Sequence, residues 1–295
     1  MTQFCADGVS GLNNKPLTTA DHGRDSAALR YVYPVVSRRA GGVSVGINLN
    51  PNNACNWRCI YCQVPDLTRG TAPLIDLAVL EDELRGFLKE LLHGDFMQSR
   101  VPEGARRIND IAISGNGEPT SSTEISQVVD IIARVRREVD LPETVKTVLI
   151  TNGSLLHRSD VQQGLRNMAR LNGEVWFKLD RASESGMQLI NNTKTSMKKV
   201  RDNLIASILL CPTWLQTCWF ALDGEPPSRQ DEDNYLEFVS ALLRDGHKLQ
   251  GVLLYTLARP SLQPEAPRLS ALSKTQLQAF AERIEELGIS CRISP

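Results

Sequence analysis

Apolar runs of strand length alternate with amphipathic helical patterns along most of this 295-residue chain. Such an alternation predicts a parallel β-sheet with right-handed crossovers. The runs are apolar throughout, which indicates a sheet that is covered on both faces. The predicted strands are residues 42–49, 107–114, 145–151, 174–179, 215–222 and 249–257, and the predicted helices fall within residues 77–91, 125–135, 161–171, 200–209, 235–243 and 277–287.

Two topologies fit this alternation, an open doubly wound sheet and a barrel. The phosphate-binding patterns G-x-G-x-x-G and G-x4-G-K-[ST] are absent from the chain. Hydrophobic residues make up 41% of the chain, which is ample for one large core, or for one core with a small appendage. Ser273 and Gln276 form a capping box that marks the start of the last predicted helix.

The charge and hydropathy of the chain exclude several classes of protein. The net charge is −1, so no global field attracts nucleic acid or an anionic membrane. No apolar run is long enough to span a bilayer, and the polar, acidic N-terminal segment does not match a signal peptide. We therefore expect a cytoplasmic protein with no membrane partner.

Cys55, Cys59 and Cys62 form a C-x3-C-x2-C pattern directly after the first predicted strand. Three thiolates on a short loop suit a soft metal centre, and they leave a four-iron cluster one ligand short. Zinc is a weaker interpretation, because the nearest histidines, His22 and His93, are distant and isolated. Disulfides are weaker still, because nothing marks the chain as secreted. The pattern favours an iron–sulfur cluster.

The remaining four cysteines are isolated in the sequence. Single cysteines are most often small buried hydrophobic residues, although a thiol can also contact a soft substrate. We therefore predict one cluster and assign no ligand role to Cys5, Cys211, Cys218 and Cys291.

The cysteine pattern, with Tyr61 just before the third cysteine, resembles that of the radical S-adenosylmethionine (radical SAM) superfamily. The preceding stretch PVVSRRAGGVSVGIN, residues 34–48, is similar to its wyosine-type iron–sulfur oxidoreductase branch. The resemblance implies that the three cysteines bind one [4Fe–4S] cluster and that the open iron binds S-adenosylmethionine. It also implies an α/β fold, a partial (β/α)6 TIM-type barrel over residues 41–295 with an N-terminal extension over residues 1–40. The extension is polar and rich in turn-forming residues, which fits either a cover over the mouth of the barrel or a mobile segment.

Function in such a barrel lies at the carboxyl ends of the strands, where several polar motifs fall. The segment SGNGEPT, residues 114–120, follows the second predicted strand and by itself is equally typical of a turn before a helix. Polar residues also end the third and fourth strands, and Lys178 and Asp180 alternate so that they share one face. The resemblance implies that S-adenosylmethionine is contacted by Tyr61, Asn116, Gly117, Glu118, Pro119, Asn152, Lys178, Asp180, Leu254 and Tyr255.

Three further residues are candidates for contact with substrate. Asp223 and Arg259 follow the last two predicted strands and face the expected mouth, although either could instead cap a helix. Arg38 belongs to the basic pair that precedes the first predicted strand.

The resemblance implies a radical enzyme that receives an electron from a flavodoxin or ferredoxin. Reductive cleavage of S-adenosylmethionine would then start hydrogen abstraction or group transfer on a small-molecule or peptide substrate. A transfer-RNA base, the wyosine-type substrate, is an alternative, but the neutral net charge does not favour an RNA partner. A non-catalytic iron–sulfur carrier or sensor would use the same cysteines, and a zinc-stabilised binding protein would contain no iron.

Overall fold

The computed structural model describes residues 17, 29–37 and 41–295 of the chain. Most of the predicted N-terminal extension, including Cys5, His22 and Arg38, lies outside these residues. The strands of the described part are β1 (Val32–Ser37), β2 (Gly42–Asn48), β3 (Ala54–Cys55), β4 (Thr68–Arg69), β5 (Ile108–Ser114), β6 (Lys146–Thr151), β7 (Gly173–Lys178), β8 (Thr213–Cys218), β9 (Phe220–Leu222), β10 (Gly251–Tyr255), β11 (Leu269–Ala271) and β12 (Cys291–Ser294).

Helices connect most of the consecutive parallel strands. These helices are amphipathic and pack their apolar faces onto the sheet. In the first helix, the buried residues Leu80, Leu84, Leu88 and Leu91 recur at helical spacing. The α-helices of the described part are α1 (Leu77–His93), α2 (Phe96–Arg100), α3 (Ile125–Glu138), α4 (Ser159–Ala169), α5 (Glu184–Asn191), α6 (Met197–Leu210), α7 (Arg229–Arg244) and α8 (Lys274–Glu285). None of them is long and apolar enough to cross a bilayer.

The main sheet has eight strands in the order β1-β2-β5-β6-β7-β8-β10-β12. All of its pairs from β2 to β12 are parallel, and only β1 runs antiparallel to its neighbour. The order follows the chain without the reversal that defines a doubly wound sheet. Within the described residues β1 and β12 are the two edges, so the sheet is not closed. The predicted partial TIM-type barrel is confirmed.

The six predicted strands and six predicted helices all occur in the structure, with bounds that differ by a few residues. One predicted strand is divided, because the chain leaves the sheet at Trp219. The Trp219 ring is buried and stacks on Phe280, with 4.4 Å between the ring centroids. The short strand that follows, β9, pairs with β11 in a separate sheet. The capping box of Ser273 and Gln276 is also confirmed.

The edge strand β1 lies within the range predicted as an N-terminal extension, and it pairs with β2. Glu83 on α1 anchors the start of this strand. Its carboxylate accepts hydrogen bonds from the backbone N–H groups of residues 30, 31 and 32. On the inner face, the ring of Tyr33 lies across Gly46 of β2. A Cβ atom at Gly46 would lie 2.2 Å from that ring, so only glycine fits there.

We expect Gly46→Ala to lower the free energy of unfolding by about 1–3 kcal/mol, because the added methyl group must displace a buried ring. Gly86 is the matched control, since it lies inside α1 and a Cβ there meets nothing within 4 Å. Gly86→Ala should raise stability by about 0.5–1 kcal/mol. Chemical denaturation of both variants measures the difference, and equal effects would contradict the packing of Tyr33 on Gly46.

Candidate active site at the barrel mouth

The loop that carries the three clustered cysteines follows β2 and is held from two sides. On one side, the N–H groups of Arg58 and Ile60 donate to the carbonyls of Asn191 and Ile190 at the end of α5, at 3.2 and 2.9 Å. On the other side, the Ser261 hydroxyl donates to the Ile60 carbonyl at 2.8 Å. The Arg58 guanidinium also pairs with Glu265 through two hydrogen bonds. The loop is therefore attached to elements far from it in sequence.

The side chains of Cys55, Cys59 and Cys62 line one cavity of about 380 Å³ at the carboxyl ends of the strands. Burial raises the pKa of both Cys55 and Cys59 to about 12. The backbone N–H of Trp57 points to the Cys55 sulfur at 3.5 Å, and the Asn191 amide donates to the Cys59 sulfur at 3.2 Å. Thiols with such pKa values stay protonated until a metal displaces the proton.

The donor set that the cysteine loop brings to this cavity includes three sulfur atoms, the ligands that iron–sulfur clusters use. Among the described residues, no group of three or more His, Cys, Asp or Glu side chains could hold a metal ion. A four-iron cluster places its irons at separate corners, so three sulfur ligands need not converge on one point. Three cysteines that line one cavity, with N–H donors to two of their sulfurs, fit such a cluster.

Glu118 lies on the same cavity as the cysteines and is buried. Its Oε1 atom accepts hydrogen bonds from the backbone and hydroxyl of Thr120 and from the Thr151 hydroxyl. Among the described residues, its Oε2 atom accepts only from the backbone N–H of Asn152, at 2.7 Å. Burial raises the pKa of this carboxyl despite these four donors. Since a carboxylate oxygen has two lone-pair sites, Oε2 keeps acceptor capacity.

The glycine-containing turn that precedes Glu118 packs against the cysteine loop. A Cβ atom at Gly117 would lie 2.0 Å from the Ala54 carbonyl oxygen, so a side chain is excluded there. Asn116 lies beside it and donates from its side-chain amide to the Asn53 side chain at 2.6 Å. Both residues line the cavity, and Gly117 is required by the contact between the two loops.

Asn152 connects the third strand of the predicted barrel with the cysteine loop. Its amide donates to the Asn56 side chain at 2.8 Å, and Asn56 in turn donates to the Ser154 hydroxyl at 2.8 Å. Asn152 also lines the cavity. The polar end of β6 is therefore attached to the residue that directly follows Cys55.

Lys178 lines the cavity between two tyrosines. Its ammonium nitrogen lies 5.0 Å from the centre of the Tyr61 ring and 3.2 Å from the Tyr255 hydroxyl. Burial opposes its charge, but the carboxylate of Asp180 and the other groups around it raise the pKa of Lys178 above its ordinary value. Lys178 is thus a cation at the wall of the cavity.

Asp180 lies beyond the end of β7 and does not line the cavity. It accepts hydrogen bonds from the Tyr61 hydroxyl at 2.5 Å and from the Asn191 amide at 2.7 Å. The backbone N–H of Cys218 donates to its other oxygen at 2.9 Å. Both carboxylate oxygens therefore bind groups of the protein itself.

The structure brings most of the candidate residues to this cavity, but not all. Pro119 and Leu254 are buried and do not line it. Asp223 lies outside it in an exposed ion pair with Arg268, which lowers the pKa of the Asp223 carboxyl. Arg259 lines the cavity, and Arg38 falls outside the described residues.

Sequence reasoning did not single out several residues that the structure places at the site. Gln216 lines the cavity with 2% of its surface exposed, and its Oε1 atom has no hydrogen-bond partner among the residues described. Trp176, Tyr33 and Asp110 line the same inner region. Because both faces of these strands are covered, the sequence pattern does not show which residues face inward.

Comparison with known sequences finds several related proteins. No protein-family model matches the chain. A UPF0026 protein of Helicobacter pylori is 26% identical over 251 residues, which cover 84% of this chain and 72% of that protein. The GTPase Obg of Brachyspira hyodysenteriae is 28% identical over 216 residues, which cover 72% of this chain and 28% of the GTPase. The aligned part of this chain thus spans less than a third of the GTPase.

Solved structures with a similar fold include enzymes of one class. TYW1 with a lysine-pyruvate adduct bound has a TM-score of 0.53 at 14% identity, over 82% of this chain and 73% of that chain. A radical SAM methyltransferase from Sphaerobacter thermophilus has a TM-score of 0.53 at 13% identity, over 86% and 66%. Streptococcus suis SuiB bound to S-adenosylmethionine has a TM-score of 0.54 at 10% identity, over 87% and 48%. This chain has the fold of the radical SAM enzymes.

We expect Glu118→Gln to lower the free energy of unfolding by about 1–3 kcal/mol, because an amide nitrogen cannot accept the hydrogen bonds that the carboxylate accepts. Glu286→Gln is the control, since that side chain is exposed at the end of α8, and its effect should stay within about 0.5 kcal/mol. Urea denaturation gives both values. A Glu118→Gln variant as stable as the control would show that these hydrogen bonds do not form.

Proposed function

We propose that this protein is a radical SAM enzyme in which Cys55, Cys59 and Cys62 bind one [4Fe–4S] cluster. The observation that carries the proposal is the convergence of these three thiols with Glu118 and Lys178 on a single cavity at the carboxyl ends of parallel strands. When bound, the reduced cluster and S-adenosylmethionine supply a one-electron cleavage of a carbon–sulfur bond, which starts radical chemistry on a substrate. The electron comes from a flavodoxin or ferredoxin.

The charged groups of the cavity complement the two charges of an amino-acid moiety. Glu118 has acceptor capacity left on Oε2, which suits an ammonium group. Lys178 is a cation on the same cavity and suits a carboxylate. The methionyl part of S-adenosylmethionine carries both groups. Asn152 and Tyr255 line the cavity near these two side chains and are proposed to contact the rest of the cofactor.

The inner part of the cavity suits a small molecule or the side chain of a peptide. Its walls include the rings of Tyr33 and Trp176, which offer apolar surface, and the amide of Gln216. Within the described chain, the Gln216 Oε1 atom is a buried acceptor without a partner, and leaving such an atom unpaired is unfavourable. We propose that the substrate carries an N–H or O–H group that donates to this oxygen.

A transfer-RNA base is an alternative substrate, and the folds compared above do not decide between the two. They include TYW1 with a lysine-pyruvate adduct, a methyltransferase and SuiB, all at 14% identity or less. The net charge of −1 still gives no general attraction for RNA. We retain the small-molecule or peptide substrate as the proposal.

The first test concerns the cluster. We expect the protein, reconstituted anaerobically with iron and sulfide, to hold about four irons per chain, and Cys59→Ala to lose most of the iron and the brown colour. Cys211→Ala is the control, because Cys211 is a buried thiol that does not line the cavity. Iron analysis and absorption spectra measure both. A Cys59→Ala variant with full iron would exclude this ligand set.

The second test separates an enzyme from an iron–sulfur carrier. We expect Lys178→Met to keep its iron but to bind S-adenosylmethionine roughly tenfold or more weakly, because a charged hydrogen bond is worth about 1.5–3 kcal/mol. Lys146→Met is the control, since Lys146 pairs with Glu174 outside the cavity and should change affinity by less than about twofold. Titration of the dithionite-reduced cluster, followed by electron paramagnetic resonance, measures the affinity.

The same samples show whether S-adenosylmethionine is cleaved and at which bond. A spectral change on addition of S-adenosylmethionine, with 5′-deoxyadenosine or methylthioadenosine as product, supports the enzyme and identifies the bond that breaks. A reduced wild-type cluster that neither responds to S-adenosylmethionine nor forms a nucleoside would identify a carrier or sensor instead.

A further inference from the structure

Asn191, the last residue of α5, connects a proposed cluster ligand to a buried carboxylate. It is 1% exposed, and its side-chain nitrogen donates to the Cys59 sulfur at 3.2 Å and to Asp180 Oδ2 at 2.7 Å. A side-chain amide nitrogen has two hydrogens, and these two acceptors use both. The Asn191 amide nitrogen therefore donates both of its hydrogens to the sulfur and the carboxylate.

Several contacts fix this amide in place. Asp180 is held by the Tyr61 hydroxyl and by the backbone N–H of Cys218. The backbone carbonyl of Asn191 accepts from the N–H of Arg58, one residue before Cys59. Next to it, Asn192 ends the helix in the left-handed conformation, with φ of 49°, and donates to the Arg58 carbonyl at 2.9 Å. The end of α5 thus binds both the backbone N–H and the backbone carbonyl of Arg58 in the cysteine loop.

An N–H donor on a cluster sulfur has a defined electrostatic effect. Reduction adds one negative charge to a cluster whose sulfur ligands already carry negative charge. A hydrogen bond to a ligand sulfur stabilises the more negative state and so makes the reduction potential less negative. Because Asn191 is buried, water cannot easily replace its N–H group.

We propose that Asn191 is a positioning residue for the cluster. It orients the Cys59 sulfur and, through its N–H group, keeps the reduction potential within reach of a biological electron donor. This inference rests on the cluster of the proposed function, but it does not depend on cleavage of S-adenosylmethionine.

The test is the midpoint potential of the reconstituted cluster without S-adenosylmethionine, in the wild type and in Asn191→Leu. Leucine has nearly the same size but no N–H donor. Loss of one hydrogen bond should lower the ratio of reduced to oxidised cluster at a fixed potential roughly threefold to tenfold. The midpoint therefore becomes more negative, by about 59 mV for the tenfold case.

Asn203→Leu is the matched control. Asn203 is also a buried helical asparagine, and its amide donates to the Gly153 carbonyl at 2.8 Å, outside the cysteine loop. Its replacement should lower stability but leave the potential unchanged. An unshifted potential in Asn191→Leu would overturn the proposal, and so would equal shifts in the two variants, because equal shifts would indicate general loosening.

A second measurement decides the case if Asn191→Leu does not assemble a cluster. Wild-type protein with nitrogen-15 in its asparagine side chains should show a coupling to the reduced cluster in pulsed electron paramagnetic resonance. The coupling should persist in Asn56→Ser, Asn116→Ser and Asn152→Ser, which remove other asparagine side chains near the cysteines. Absence of the coupling would overturn the proposal. A cluster that shows the coupling but does not cleave S-adenosylmethionine would contradict the proposed function and leave the role of Asn191 standing.

Discussion

The architecture of the barrel mouth depends on one buried carboxylate, that of Asp180. A carboxylate removed from water is strongly unfavourable unless hydrogen-bond donors replace its hydration. The donors at Asp180 come from the cysteine loop through Tyr61, from α5 through Asn191 and from β8 through Cys218. Each of these elements must reach its place before the carboxylate is satisfied. The carboxylate therefore couples the position of the loop to that of the sheet.

This coupling is possible because the strands follow one another in the sheet in chain order. In such a sheet the carboxyl ends of parallel strands meet at one edge, so residues separated by many positions in the chain become neighbours. Lys178 ends β7 and pairs in register with Gln216 of β8. Glu118 follows β5 and contacts Thr151 at the end of β6. The site is thus a direct product of the topology.

Much of this arrangement could be predicted from sequence, because its signals are local. Helical and strand periodicity identified the barrel strands, and the spacing of the cysteines identified the loop that lines the cavity. Glu118 was a candidate because its short motif beside a strand end resembles one of the radical SAM superfamily. The residues that were missed depend on contacts between distant positions. Asn191 is 132 residues from Cys59, and no pattern near either residue reports their hydrogen bond. The edge strand β12 is only four residues long, which is too short for a periodic signal.

Asp180 shows the second limit of sequence reasoning, which is the direction in which a side chain points. Residues 178 and 180 alternate with Leu179, and alternation alone would place both side chains on one face of a strand. The strand ends at Lys178, and two residues later the Asp180 carboxylate accepts a hydrogen bond from Tyr61 of the cysteine loop. Lys178 and Asp180 therefore have different roles, although they are close in sequence. Lys178 remains available to a ligand in the cavity, whereas the hydrogen bonds of Asp180 are used by the protein. A substitution at Asp180 should therefore disturb the cysteine loop, although Asp180 itself does not line the cavity.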